Sequence, residues 1–210
     1  MTAPTLVIEH LEELYPVAGP GPRAGRRQGD HAAIRDGAIA CAGERILSVG
    51  TTADVRQAAP PGSATRVIDG RGKSLVPGFV DGHTHIVFAG DRRQELGRRL
   101  AGATYAEIAA AGGGILSTVR ATREATEDQL ADATRGRLAE ILAAGTTTCE
   151  AKSGYGLETD SELRMLRVIA RVGAEQPVEL ASTFMGAHEV PPEYRGRQAD
   201  FVRLIIDEMI

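Results

Sequence analysis

Asp81-Gly82-His83-Thr84-His85, entered through Leu75-Val76-Pro77-Gly78-Phe79-Val80, brings together the side chains of this sequence best suited to chemistry. In an extended strand side chains alternate between faces, so His83 and His85 point one way and Thr84 the other. Two imidazoles at that spacing can both reach one divalent ion through metal–nitrogen bonds of about 2 Å. Leu75, Val76, Phe79 and Val80 form a nearly continuous apolar run, which predicts a buried strand of the parallel-sheet type. Polar residues at the end of such a strand are where α/β barrels keep their active sites. The plainer reading is two ordinary polar residues closing a strand. The Pro-Gly entry, Asp81 and the apolar run weigh against it.

Two further strand candidates end in polar residues. One gives Glu150-Ala151-Lys152-Ser153-Gly154-Tyr155-Gly156, the other His188 and Glu189, and Arg92 lies shortly after the histidine pair. Singly, Tyr155 reads as a turn aromatic, Lys152 as a solvated charge and His188 as a helix cap. Three strand ends of this kind together predict a shared site at one mouth of a parallel barrel. Ala111-Gly112-Gly113-Gly114-Ile115 sits beside a helix start, where backbone N–H groups can cradle phosphate. It matches neither a P-loop nor a dinucleotide fingerprint, and no strand immediately precedes it. It reads as a flexible turn between two helices, placed to close over a substrate.

The elements that must position these residues fall into two parts. Residues 1–75 read as short strands: Leu6-Val7-Ile8, a hairpin of Ala33 to Cys41 with Arg45 to Val49, and Val67-Ile68. The Pro/Gly-rich stretch from Gly19 to Arg27 reads as a surface loop. With so little apolar mass, this part is expected to pack on something else. From Phe79 onward strands alternate with helices. Thr126 and Gln129 form a capping-box pattern before Leu130, Ala133, Leu138, Ile141 and Leu142, and Gly145 ends that helix. A strand over 146–150 follows, then a helix from Ser161 to Val172 with Leu163, Leu166 and Ile169 inward. A strand from Val178 to Phe184 and a helix from about Ala199, carrying Phe201, Val202, Ile205 and Ile206, complete the series. This βα repetition implies a parallel sheet. The expected fold is α/β. Residues 1–75 would be the N-terminal part of a small β-sandwich-like domain, and 76–210 the first three βα units of a (β/α)₈ barrel. A complete barrel takes about 250 residues and about 130 follow Pro77, so the barrel is expected to be truncated.

Composition narrows the function classes. The 210 residues are 42% hydrophobic and 25% charged, as in ordinary globular proteins. A net charge of −4 with interspersed signs gives no footprint for nucleic acid. Cys41 and Cys149 match no zinc or disulfide spacing and read as small buried apolar side chains. No signal-peptide pattern opens the sequence and no run approaches a membrane span, so a reducing cytoplasm and no membrane partner are expected.

Val76 to His85 resembles the metal-strand signature of the amidohydrolase superfamily. Longer strings are similar to the imidazolonepropionase family: Gly102-Ala103-Thr104-Tyr105 leading to Gly112-Gly113-Gly114, Thr122-Arg123-Glu124-Ala125, Glu150 to Leu157, Ser182 to His188, and Val190-Pro191-Pro192-Glu193-Tyr194. The resemblance implies hydrolysis of 4-imidazolone-5-propanoate to N-formimidoyl-L-glutamate in histidine breakdown, with one zinc or iron ion. It implies that His83 and His85 are metal ligands, and that Arg92, Tyr155 and His188 contact substrate. Arg92 offers a planar fork for the propanoate carboxylate, Tyr155 a donor, and His188 a group to polarise the ring carbonyl. Gly82 stands where the family often has proline, and Lys152 is left unassigned. The remaining metal ligands and the acid/base residues are expected beyond Ile210, and catalytic zinc normally takes three protein ligands. A catalytically incomplete fragment, another cyclic-amide hydrolase of the superfamily, and a homodimer stay open as alternatives. A three-stranded piece of barrel would leave two unpaired edges and an open apolar face, so it is expected to aggregate or remain partly unfolded, and to be inactive alone.

Overall fold

Alternating apolar positions in Leu6–Leu14 (β1), Ile34–Ala42 (β2) and Arg45–Thr51 (β3) make the centre of a first sheet, joined by Arg66–Asp69 (β4) and Ser74–Leu75 (β5). The order is β3-β2-β1-β4, with β5 pairing farther along β1. β1, β2 and β3 pair antiparallel, while β4 and β5 run parallel to β1. The computed structural model describes residues 2–210 and divides into two units, 1–77 and 78–210. The strands described in the first unit form a single sheet whose second layer is a helix, Thr52–Ala58 (α1), rather than another sheet. Thr51 caps α1 by accepting from the Asp54 N–H, and Val55 and Ala59 pack on Val7, Ala38 and Ala40. β1 runs well past the Leu6-Val7-Ile8 expected from sequence. Glu9 ends the apolar pattern, yet it occupies a core-facing position because Arg56 of α1 holds both its oxygens, at 2.8 and 2.6 Å.

In the second unit, Phe79–Thr84 (β6), Thr146–Lys152 (β7) and Glu179–Thr183 (β8) form a parallel sheet in sequence order. Between β6 and β7 lie Arg93–Leu100 (α2), Tyr105–Ala110 (α3), Ile115–Glu124 (α4) and Glu127–Ala143 (α5). Thr159–Gly173 (α6) links β7 to β8, and Gln198–Leu204 (α7) follows and passes into a π-turn. The capping box of Thr126 and Gln129 is present at the start of α5, and Thr104 with Glu107 makes another at α3. Cys149 and Ala151 of β7 pack against Leu130 and Leu138 of α5 and Met165, Val168, Ile169 and Val172 of α6. The alternate residues of β7 are polar: Glu150 pairs with Lys152 and accepts from the Thr183 hydroxyl at 2.8 Å.

Three expectations need correction. The inward row of α6 is Glu162, Met165, Ile169 and Val172, flanked by Ser161 and Val168, whereas Leu163 is 42% exposed. In α5, Ala131 and Thr134 complete the buried row, and Leu142 lies outside it. β6 is not a buried strand: Phe79 is 58% and Val80 73% exposed. The reason is position. Among the described strands β6 is bonded to β7 alone, so its apolar residues lack strand neighbours on the other side. Among the described residues no helix is long and apolar enough to cross a membrane.

Candidate active site at the strand ends

Ser153 and Gly154, directly after β7, are the centre on which the neighbouring strand ends are hung. The Ser153 N–H donates to Thr183 of β8 at 2.9 Å, and its hydroxyl accepts from the Met185 N–H at 2.8 Å. On the other side, His85 Nδ1 lies 2.9 Å from the Ser153 carbonyl. His188 Nδ1 lies 3.0 Å from the Gly154 carbonyl. A carbonyl only accepts, so each Nδ1 carries the proton and each Nε2 keeps a free lone pair. The two rings stack, with centroids 4.5 Å apart and planes 12° apart. Tyr155 completes the cluster, 4.9 Å from the His85 ring and 5.5 Å from that of His188. Burial pushes the His85 pKa down, and the neighbouring His188 adds to this while the Ser153 carbonyl opposes it.

The His83 and His85 ring centroids are 6.2 Å apart. Around a tetrahedral ion with metal–nitrogen bonds of about 2 Å the two centroids would lie about 5 Å apart, so the rings would have to close by about 1 Å to share one. His85, its Nδ1 held by a carbonyl, has the arrangement that orients a metal-ligating imidazole. Among the described residues no group of three or more His, Cys, Asp and Glu side chains comes together as a metal site.

Arg92 immediately precedes α2. It shares a cavity of about 190 Å³ with Phe88, Asp91, Thr118 and Tyr155, so Tyr155 borders both the histidine cluster and the arginine. Glu189 is turned elsewhere, accepting from the Val190 N–H and lining a separate cavity with Tyr105 and Arg195. Lys152 is neutralised by Glu150, and that pairing, with the Thr183 hydroxyl next, holds the Glu150 carboxyl below its usual pKa. The glycine turn joins α3 to α4, and its Gly114 N–H is taken by Glu95 at 2.7 Å rather than left open for an anion.

The sequence reading gave no role to two residues here. Glu162, 1% exposed, accepts from the N–H groups of Gly154, Gly156 and Leu157 at 2.9, 2.8 and 2.8 Å. Arg123 donates to the carbonyls of Gly156 and Leu157 at 2.6 and 3.1 Å and pairs with Glu193 at 2.8 Å. The available signal for Glu162 was its place in the row Glu162-Met165-Ile169-Val172.

No family model matches the chain. An imidazolonepropionase of Symbiobacterium thermophilum is 51% identical over 205 residues, 98% of this chain and 48% of the relative. One from Chloroflexus aggregans is 50% identical over 206 residues, 98% and 48%. One from Rubrobacter xylanophilus is 47% identical over 210 residues, 100% and 50%. The chain therefore spans about half the length of these curated relatives. In fold it is similar to atrazine chlorohydrolase from Arthrobacter aurescens, crystallised with zinc (TM-score 0.58, 18% identity, 97% of this chain and 43% of that one). It is also similar to Escherichia coli guanine deaminase (TM-score 0.54, 16% identity, 94% and 41%). Nearly all of this chain is thus similar, at about half identity, to about half the length of imidazolonepropionases.

Proposed function

We propose that this chain carries the His-x-His side and the substrate-recognising side of an enzyme that hydrolyses 4-imidazolone-5-propanoate to N-formimidoyl-L-glutamate. The observation that carries the reading is the cluster of His85, His188 and Tyr155, with both imidazoles held Nδ1–H on successive carbonyls. In this reading residues 76–210 are the first three βα units of a (β/α)₈ barrel, and residues 1–75 are part of its small β domain. His83 and His85 hold one divalent ion, zinc or iron. When bound, that ion supplies Lewis-acid activation of water. Arg92 takes the propanoate carboxylate, a charge-assisted fork interaction. Tyr155, between arginine and histidines, orients the ring, and His188, when it carries a proton on Nε2 as well as on the Nδ1 held by Gly154, donates to the ring carbonyl as the amide carbon is attacked. The ring C–N bond breaks, water's oxygen stays on carbon, and a proton from that water ends on the leaving nitrogen.

Two measurements test this. Zinc titration should show binding that weakens at least about tenfold in His83→Ala and His85→Ala, as expected when one of few ligands is lost. Equal affinity in the variants would remove the pair from the metal site. Turnover should be absent from this chain, because the described residues offer no third metal ligand. It should be present in a protein that continues the sequence to the length of its relatives. There, Arg92→Ala should lower kcat/KM about 10- to 100-fold, the loss of a charged hydrogen bond of about 1.5–3 kcal/mol. A longer protein that leaves the imidazolone intact would overturn the reading.

A further inference from the structure

We infer that Glu162 is a positioning residue that sets the tautomer of both His85 and His188, a role that deepens the metal and substrate reading above. Glu162 touches neither ring. It sits at the first turn of α6, and its two oxygens take the N–H groups of Gly154, Gly156 and Leu157. Those bonds tether the backbone that presents the Ser153 and Gly154 carbonyls, which face the two Nδ1 atoms. Arg123 takes the carbonyls of Gly156 and Leu157, so the segment's donors face an anion and its acceptors face a cation. Gly154 is engaged twice, its N–H by Glu162 and its carbonyl by His188. Its N–H shares a peptide group with the Ser153 carbonyl that takes His85, and its own carbonyl takes His188, so a shift at Gly154 disturbs both contacts. A carboxylate is required because three donors converge on two oxygens, whereas a glutamine would present an NH₂ to at least one of them.

The test uses this chain labelled with ¹⁵N-histidine, with Glu162→Gln and Glu162→Asp. Long-range ring ¹H–¹⁵N spectra are recorded near pH 8, above the ordinary histidine pKa of about 6.5, beside zinc titration and amide exchange. Wild type should show Nδ1–H at both rings. In Glu162→Gln, Nε2–H signals should appear at both rings, and zinc affinity should fall about tenfold, the effect typical of outer groups that orient a ligand. Nδ1–H retained at both rings with unchanged zinc affinity would make Glu162 a loop-stability residue only and overturn the inference. If the glutamine variant does not fold, Glu162→Asp decides. Faster exchange at Gly154, Gly156 and Leu157 should come with mixed tautomers, and faster exchange with unaltered tautomers would overturn it. A wild type that binds no zinc would sink the metal reading, while the tautomers would still decide for or against Glu162.

Discussion

Gly154 and Gly156 show how little freedom the loop at the candidate site has. Gly154 has φ +108°, and a Cβ there would meet His188 Cβ and the Met185 carbonyl at 2.9 Å. A Cβ on Gly156 would come within 2.6 Å of the α6 backbone at Glu162. Gly154→Ala should therefore destabilise the chain by more than about 1 kcal/mol and displace the His188 ring, visible as a shift of its resonances. A variant with wild-type melting temperature and an unmoved ring would contradict this. The histidines and Tyr155 were legible in the sequence because their types cluster where strands end. Their mutual contacts were not, since stacking and carbonyl hydrogen bonds depend on how three distant segments converge. Glu162 was illegible for a different reason: an acidic residue in a helix's first turn reads as a favourable dipole partner, and nothing local says that three donors face it.

At the scale of elements, the errors came from residues whose partners lie outside their own segment. Choosing Leu163 and Leu166 for the inward row of α6 shifts its phase by one residue, which hides both Met165 and Glu162. The strand period behind β1 stopped at Ile8 because Glu9 is charged. The structure admits it by giving it Arg56, and that pairing, the largest influence on it, lowers the Glu9 pKa. A carboxylate with a lowered folded pKa contributes stability that is complete above its unfolded value of about 4.3 and is lost as pH falls through the folded value. Urea unfolding followed from about pH 6 down to about pH 3 should therefore show a decline in stability that is shallower in Glu9→Gln. Arg56→Ala should cost about 1–3 kcal/mol near neutrality by leaving a buried charged acceptor unpaired. Parallel pH profiles for wild type and Glu9→Gln would show that the pair carries no linkage. The βα rhythm itself was readable, because capping at Thr126, the glycine stop at Gly145 and the β-branched run at 146–148 are all local signals.

For the molecule as a whole, the apolar open face expected of a partial sheet is not what the second unit carries. The residues of β7 that alternate with Cys149 and Ala151 are Thr148, Glu150 and Lys152, of which Glu150 pairs with Lys152 and accepts from Thr183 of β8, and a face of that kind tolerates water. The exposure falls instead on the edges. Among the described strands β6 and β8 each bond only to β7, so each leaves a row of backbone donors and acceptors on its other side. On β6 that row lies beside Phe79 and Val80, both largely exposed, which combines unpaired backbone with apolar side chains. Such an edge is a template for pairing with a second copy, and lysine on an edge strand is a usual way to block it. The isolated chain should therefore associate as its concentration rises, and Val80→Lys should shift it toward monomer in sedimentation velocity. Val80 is 73% exposed, so its replacement should change unfolding stability by no more than about 0.5 kcal/mol. A chain that stays monomeric at high concentration, or a Val80→Lys variant that associates as readily as wild type, would show that some other surface governs its solubility.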